Sequence, residues 1–386
     1  MDLDKLQNQR RFRGMRWICI FLLALSVLGL SAYSLLFVYS STLPGDGALG
    51  LGLSREMQKQ LIFYFLGIFL FYAFSKIPYQ HWSQMSFVLY LGNLLLLVFV
   101  SQFGVVRGGA RSWIDLGFTQ FQPSETMKTA WILYLASWLK YRKSYRQFWG
   151  LWAPFLITGV PMFLVLIQPD MGTAALYLPT LFVILFICGS KKRHLGIIVM
   201  CMMLSCIPLW MFGLKSYQKA RVMALLNPEA HAQTEAYQLK HSLLAIGEGY
   251  WFGKGLGQGR VNRLNMLPES HTDFIFSIIS EELGFVGAFV LILLYLLLFY
   301  ACIWLGANTR EPFGRTVVLS IGVLVISQTF LNLAVALGLF PTTGITLPFV
   351  SSGGSSYISC CIMMGIVWSV AAHHVTVLSE DDFKEF

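Results

Sequence analysis

The sequence predicts an all-α polytopic membrane protein of about ten transmembrane helices, and three observations carry that reading. Of its 386 residues, 56% are hydrophobic and only 12% charged, more apolar surface than a soluble chain of this length hides. The apolar residues fall into runs close to the roughly 20 needed to cross a bilayer. The Lys and Arg behind the net charge of +9 cluster in short segments between those runs. That is the pattern of the positive-inside rule, and it argues against a nucleic-acid partner.

The first run, Trp17 to Tyr39, is too long for a signal-peptide core and is followed by further spans, so it reads as an uncleaved helix. The second, near 60–75, and the fourth, near 124–141, are the shorter or more amphipathic; the third falls near 82–103. Pro123 and Ser124 suit the fourth helix's N-terminus, as a helix-start proline and a cap. The fifth (151–168) and sixth (171–189) meet at the tight turn Gln168-Pro-Asp-Met-Gly-Thr173, where Asp170 can cap the sixth helix. The seventh lies near 195–213. The eighth, 274–305, is long enough to tilt or to break near Gly284 and Gly287. The ninth and tenth lie near 316–339 and 356–377. Residues 1–386 read as one transmembrane domain.

Charge sets the orientation. Lys5, Arg10, Arg11, Arg13 and Arg16, then Lys76, then Lys140, Arg142, Lys143 and Arg146, then Lys191, Lys192 and Arg193, then Arg310 and Arg315 all fall on one side of a ten-span chain. That side is the cytoplasm, together with both termini. Loops 40–59, 104–123, 168–171, 214–273 and 340–355 then face outward. The longest, 214–273, holds Lys215, Lys219, Arg221, Lys240, Lys254, Arg260 and Arg263 against Glu229, Glu235, Glu248 and Glu269. An outward basic loop suits an anionic partner; a plain solvated loop is the alternative. Its Gly253-Lys-Gly-Leu-Gly-Gln-Gly259 stretch follows no strand and lacks the Gly-Lys-Ser/Thr ending of a nucleotide loop. It reads as a flexible loop whose amides and Lys254 could meet a phosphate.

The residues that carry chemistry gather on these outer loops. Asp273 stands where the polar loop ends and a hydrophobic helix begins, a costly place for a carboxylate that is neither paired, hydrated nor used. It can cap that helix or act as a general base. Glu281 and Glu282 follow roughly 12–14 Å along the same helix and read as packing, polar-network or cavity-lining residues. Glu125 and Lys128 share a helix face and can pair, as a structural lock or as part of a substrate groove. The stretch Pro341 to Ser356 is too polar and too rich in Gly and Pro for a lipid-facing helix, so it reads as a re-entrant or cavity-lining loop. The seven cysteines lie in or beside apolar spans and read as buried free thiols. Adjacent His373 and His374 project in different directions on a helix and make a poor metal site.

Five ordered motifs run along the chain: Gly109-Ala-Arg-Ser-Trp-Ile-Asp-Leu-Gly117, Gln122-Pro-Ser-Glu125, Gln168 to Thr173, Leu267 to Phe276, and Thr343-Gly-Ile-Thr-Leu-Pro-Phe-Val-Ser-Ser-Gly-Gly-Ser355. Together they resemble the SEDS family (shape, elongation, division and sporulation) of polytopic peptidoglycan glycosyltransferases. The similarity covers almost the whole chain. Asn265 and Met266 before the fourth motif look more like the elongation-type (RodA) branch than the division-type (FtsW).

The resemblance implies polymerisation of lipid II at the outer face of the bacterial cytoplasmic membrane. Asp273 would be the base that takes a proton from the acceptor sugar, and a class B penicillin-binding protein would be the crosslinking partner. Residues implied to contact lipid II or the growing glycan strand are Arg111, Trp113, Glu125, Lys128, Gln168, Asp170, Lys254, Arg260, Arg263, His271, Thr272, Ser351, Gly353 and Gly354. Cations for the leaving pyrophosphate would come from Arg111, Lys128, Lys254, Arg260 or Arg263, or from a divalent ion such as Mg or Mn. Two positions depart from the family pattern: Ser112 stands where Arg usually precedes the motif Trp, and Ser352 replaces a Tyr. A lipid II flippase and a non-catalytic scaffold are the competing readings; intramembrane Glu281 and Glu282 suit the first.

Overall fold

The computed structural model describes residues 3–41, 54–107, 110–117, 119–140, 142–208, 210, 213, 216–227, 236–264, 266–267 and 272–373. Helices occupy every expected span position: α1 (Leu3–Ser41), α2 (Arg55–Lys76), α3 (Tyr79–Phe103), α4 (Pro123–Lys140), α5 (Trp152–Ile167), α6 (Met171–Ile187), α7 (Lys192–Pro208), α11 (Ile275–Ala307), α12 (Pro312–Ala336) and α13 (Gly354–Ala372). Seven are long and apolar enough to cross a membrane: α1, α2, α3, α5 with the turn before it, α11, α12 and α13. The other three fall short by length or charge. Helices α6 and α7 have 17 residues each, and α4 carries Glu125, Lys128 and Lys140 within its 18.

Shorter elements lie between the spans. Loop 104–123 forms a small antiparallel sheet of β1 (Val105–Arg107), β2 (Ala110–Asp115) and β3 (Gln120–Phe121). Loop 214–273 carries α8 (Ser216–Leu226), α9 (Tyr237–Glu248) and the single turn α10 (Arg260–Arg263).

Helix α12 is buried on nearly every side and packs against α4, α6, α11 and α13. The core around it is a continuous apolar cluster that includes Trp131, Tyr177, Tyr295 and Phe313. The described cysteines are free, as expected, but Cys201 lies exposed on α7 rather than buried. Ser124 sits inside the first turn of α4 instead of capping it. Asp170 does cap α6, accepting from the Thr173 amide at 3.0 Å.

Side-chain bonds show which loops share an end of the bundle. Arg16 Nη2 donates to the Ala372 carbonyl at 3.3 Å, Ser369 to Ile77 at 2.6 Å and Ser190 to Tyr145 at 3.2 Å, and Lys140 pairs with Glu311 at 2.5 Å. These join the loops assigned inward by charge. The loops assigned outward meet at the opposite end, which holds the candidate site.

Helix α11 breaks at Gly284 (φ 64, ψ −160), while Gly287 stays helical. Its 33 residues would reach about 50 Å, well beyond a hydrocarbon core of about 30 Å. The break divides it in function as well as shape. Residues Ile275 to Glu282 are buried throughout, whereas Phe285, Val286, Phe289, Val290 and Leu293 beyond it are exposed in the manner of a lipid face.

Candidate active site

The irregular segment 340–353 is the centre of the site, and α12 shapes it. Gln328 Nε2 donates to the Thr346 carbonyl at 2.9 Å and Asn332 Nδ2 to that of Ile345 at 2.7 Å. Gln328 lies eight residues before the end of α12, so Thr346 reaches about 12 Å back along the helix. This is the expected re-entrant course. Ile345, Leu347, Phe349, Val350 and Ser351 are all buried, so protein encloses the non-helical backbone. Phe349 adopts φ 65, a strained state for a bulky residue that surrounding structure must enforce. Its ring meets Tyr357 edge-on at 6.0 Å.

Asp273 sits on the turn before α11, half-buried, against this segment. Asn332 Nδ2 donates to its carbonyl oxygen at 2.9 Å. Ser351 Oγ donates to the adjacent Thr272 carbonyl and accepts from the Leu347 amide at 2.8 Å. The carboxylate lies beside Gly344, where a side-chain Cβ would sit 3.4 Å from Oδ2. Asp273 is not the N-cap of α11: Phe274 holds that position, with no side-chain cap bond. The backbone carrying the carboxylate is therefore pinned from two sides, while the side chain stands at the edge of the enclosed segment.

The remaining motifs join the same network. Gln122 Nε2 donates to Asp170 Oδ2 at 3.1 Å, and the Gln122 amide donates to Ser355 Oγ at 3.1 Å. Ser112 Oγ donates to the Gln168 carbonyl at 3.1 Å, and Gln168 Nε2 to that of Leu97 at 2.9 Å. All five motifs are thus tied to one another or to the re-entrant segment. Ser112, which departs from the family pattern, is a buried link in that network. Arg111 beside it is exposed and donates to the Gln102 carbonyl at 3.0 Å; Trp113 is half-buried. Gly353 precedes α13, and Gly354 abuts the Phe63 ring with no room for a side chain.

Several residues expected at the substrate are instead internal. Lys128 is 1% exposed, pairs with Glu125 at 2.9 Å and donates to Gln328 Oε1 at 3.0 Å. Glu125, Gln168 and Ser351 are likewise buried. Of the two readings of the Glu125–Lys128 pair, the geometry is that of a lock between α4 and α12. Lys254 bonds to Glu248 and, at 3.1 Å, to Glu281. Burial alone would lower its pKa, but these bonds carry it upward, while its hydrogen bond holds Glu248 below the usual carboxylate range. Arg263 is exposed and its Nε donates to Gly257 at 2.7 Å; Arg260 is also exposed. Of the expected cations, Arg111, Arg260 and Arg263 are exposed and Lys254 is partly exposed. Gly253–Gly259 is not a loose loop, because Glu281 and Glu282 engage its amides. His271 lies outside the described residues. Among the described residues, no three His, Cys, Asp or Glu side chains converge as metal ligands.

Gln328, Asn332 and Gly344 were not singled out in the sequence. The first two carried a usable signal: two amides four residues apart on an apolar span share one face and call for polar partners inside the bundle.

Residues 17–376 match the FtsW/RodA/SpoVE family, described as cell cycle proteins. Peptidoglycan glycosyltransferase MrdB of Escherichia coli K12 is 34% identical over 90% of this chain and 92% of its own. A probable peptidoglycan glycosyltransferase FtsW of Coxiella burnetii is 35% identical over 92% and 95%. Among solved structures, the Thermus thermophilus rod shape determining protein RodA superposes with a TM-score of 0.67 at 28% identity, covering 93% of this chain and 97% of that one. A chain from a peptidoglycan synthase complex, in a study of how polymerization and crosslinking are coordinated, reaches a TM-score of 0.77 at 30% identity, over 93% and 98%. With its five motifs gathered at one end of a matching helical bundle, the chain belongs to the FtsW/RodA/SpoVE family.

Proposed function

We propose that this protein is a peptidoglycan glycosyltransferase that polymerises lipid II at the outer face of the cytoplasmic membrane, with Asp273 as general base. The observation that carries the reading is the seat of Asp273: a half-buried carboxylate on a turn held by Asn332 and Ser351, at the mouth of the re-entrant segment. A base needs a fixed position within hydrogen-bond reach of its proton, and such a backbone supplies it. The carboxylate takes the proton of an acceptor sugar hydroxyl. That oxygen bonds to the donor's anomeric carbon as the bond to the pyrophosphate breaks, and undecaprenyl pyrophosphate leaves with the electron pair. Arg111, Arg260 and Arg263 present guanidinium groups to stabilise that charge.

The basic clusters at the opposite end of the bundle support a cytoplasmic placement for that end and an outward-facing site. A class B penicillin-binding protein is the proposed crosslinking partner, and cell elongation the proposed setting. The flippase reading drew on Glu281 and Glu282; both are bonded to the outer loop, which favours the enzyme.

The test is polymerisation of lipid II by the purified protein with its partner, comparing wild type with Asp273→Asn. Glycan chains from wild type and none from Asp273→Asn are expected. Equal polymer from both would remove Asp273 as the base. Translocation of lipid II in vesicles without polymer would move the case to a flippase.

A further inference from the structure

We infer that Glu281 and Glu282 are positioning residues: they latch the outer loop 248–263 onto the broken start of α11 and thereby fix its guanidinium groups relative to Asp273. The inference rests on the glycosyltransferase reading for what is positioned, but the latch itself is visible in the bonds.

A helix broken at one residue frees carbonyls before the break and amides after it, and the loop meets both. The Lys254 and Gly255 amides donate to the Glu281 and Glu282 carbonyls at 3.0 and 2.9 Å. The Phe285 and Val286 amides donate to the Tyr250 and Trp251 carbonyls at 2.8 and 3.1 Å. The two carboxylates then grip the loop further along. Glu281 Oε1 accepts from the Arg260 and Val261 amides at 2.6 and 3.1 Å and from Lys254 Nζ at 3.1 Å. Glu282 Oε2 accepts from the Gly257 amide at 3.0 Å. Ser40, at the end of α1, donates to Glu282 at 2.6 Å, so three separate parts of the chain meet there.

Both acids are fully buried. Burying carboxylates is costly unless donors surround them, and backbone pairing already closes the break. The carboxylates add something backbone pairing does not: they engage residues 257–261, which lead into the α10 turn bearing Arg260 and Arg263. Residues 275–283 form an unbroken helical stretch, so Glu281, which holds the Arg260 amide, keeps a set position about 9 Å along the helix from Ile275, two residues after Asp273. A donor whose pyrophosphate meets the arginines and whose anomeric carbon lies near Asp273 needs that spacing held.

The test reads hydrogen–deuterium exchange and lipid II kinetics on the full-length protein, wild type against Glu281→Gln, Ser40→Ala and Asp273→Asn. Glu281→Gln is expected to speed exchange at residues 257–261 about tenfold while α12 stays protected. It should lower kcat/KM for lipid II at least about fivefold, with kcat falling, because the displaced arginines serve the charge on the leaving pyrophosphate. Ser40→Ala should move both readouts the same way by less, and it decides the matter should Glu281→Gln unsettle α12. Asp273→Asn should abolish turnover with protection at 257–261 unchanged. Wild-type protection at 257–261 in both latch variants, or an unchanged kcat/KM despite faster exchange there, would overturn the latch. A wild-type protein that makes no polymer would sink the glycosyltransferase reading alone, since the exchange measurement still decides the latch.

Discussion

Asn332 ties the backbone of Asp273 to the re-entrant segment, its Nδ2 donating to the Asp273 carbonyl at 2.9 Å and to that of Ile345 at 2.7 Å. One amide from the largely buried α12 thus sets the register between the turn bearing the proposed base and the segment packed against it.

Replacing Asn332 with Leu keeps the branched shape and leaves two carbonyls without that donor. An unsatisfied buried acceptor costs about 1–3 kcal/mol, and a reacting group displaced by about 1 Å can cost about a hundredfold in rate. The expected result is a folded protein with kcat for lipid II polymerisation down at least about tenfold and KM little changed. Unchanged kcat would show that Asp273 keeps its place without Asn332.

The Glu125–Lys128 pair predicts stability rather than catalysis. Lys128 is enclosed by Glu125 and Gln328, and Oε2 of Glu125 meets no donor among the described residues. Lys128→Met would leave the buried carboxylate unpaired, a loss of about 3–5 kcal/mol. The double variant Glu125→Gln/Lys128→Met removes both charges and should recover most of it. Thermal unfolding in detergent measures this; a double variant no more stable than Lys128→Met would mean that the pair does more than neutralise itself.

The bundle was legible because hydropathy and positive charge report the bilayer directly. Every expected span position holds a helix, and the Gly, Pro and hydroxyl content of Pro341 to Ser356 announces the re-entrant course, although Gly354 to Ser356 already belong to α13. The roles of individual polar residues were not legible, because burial is a tertiary property. Lys254 looks like a free cation in the sequence and is neutralised by Glu248 and Glu281 in the fold, while the Glu125–Lys128 pair is readable from its spacing but its burial is not. The break at Gly284 was anticipated, but its partner was not. The loop that fills the break starts more than thirty residues earlier, and no local pattern announces that pairing.

His241 gives a pH dependence. It lies on α9 with its ring centroid 4.2 Å from that of Tyr237. Burial first, and the neighbouring charge of Lys240 second, push its pKa below the ordinary value of 6.5. The folded state therefore favours neutral imidazole, and between the two pKa values the unfolded state binds more protons. Its contribution is complete above the unfolded pKa and is lost as pH falls from about 6.5 to the lower folded value. Between pH 7 and pH 5.5, the unfolding midpoint of wild type should drop more than that of His241→Gln. Equal drops would place the titration elsewhere.

Gly344 separates backbone strain from crowding at the base. It adopts φ 72, and a Cβ there would stand 3.4 Å from Asp273 Oδ2, an ordinary van der Waals contact. Ala in this left-handed conformation costs about 1–2 kcal/mol, whereas Asn tolerates it better. If strain alone matters, Gly344→Asn should be more active than Gly344→Ala. The geometry predicts the reverse order. Both side chains occupy the space beside the carboxylate through which an acceptor hydroxyl would approach, and Asn fills more of it. We expect Gly344→Ala to lower kcat about tenfold and Gly344→Asn by at least as much, with Gly344→Asn the more stable of the two on heating. The two orders, activity against stability, should run in opposite directions. Activity that instead followed stability would mean that Gly344 serves the backbone and that the acceptor reaches Asp273 from another side.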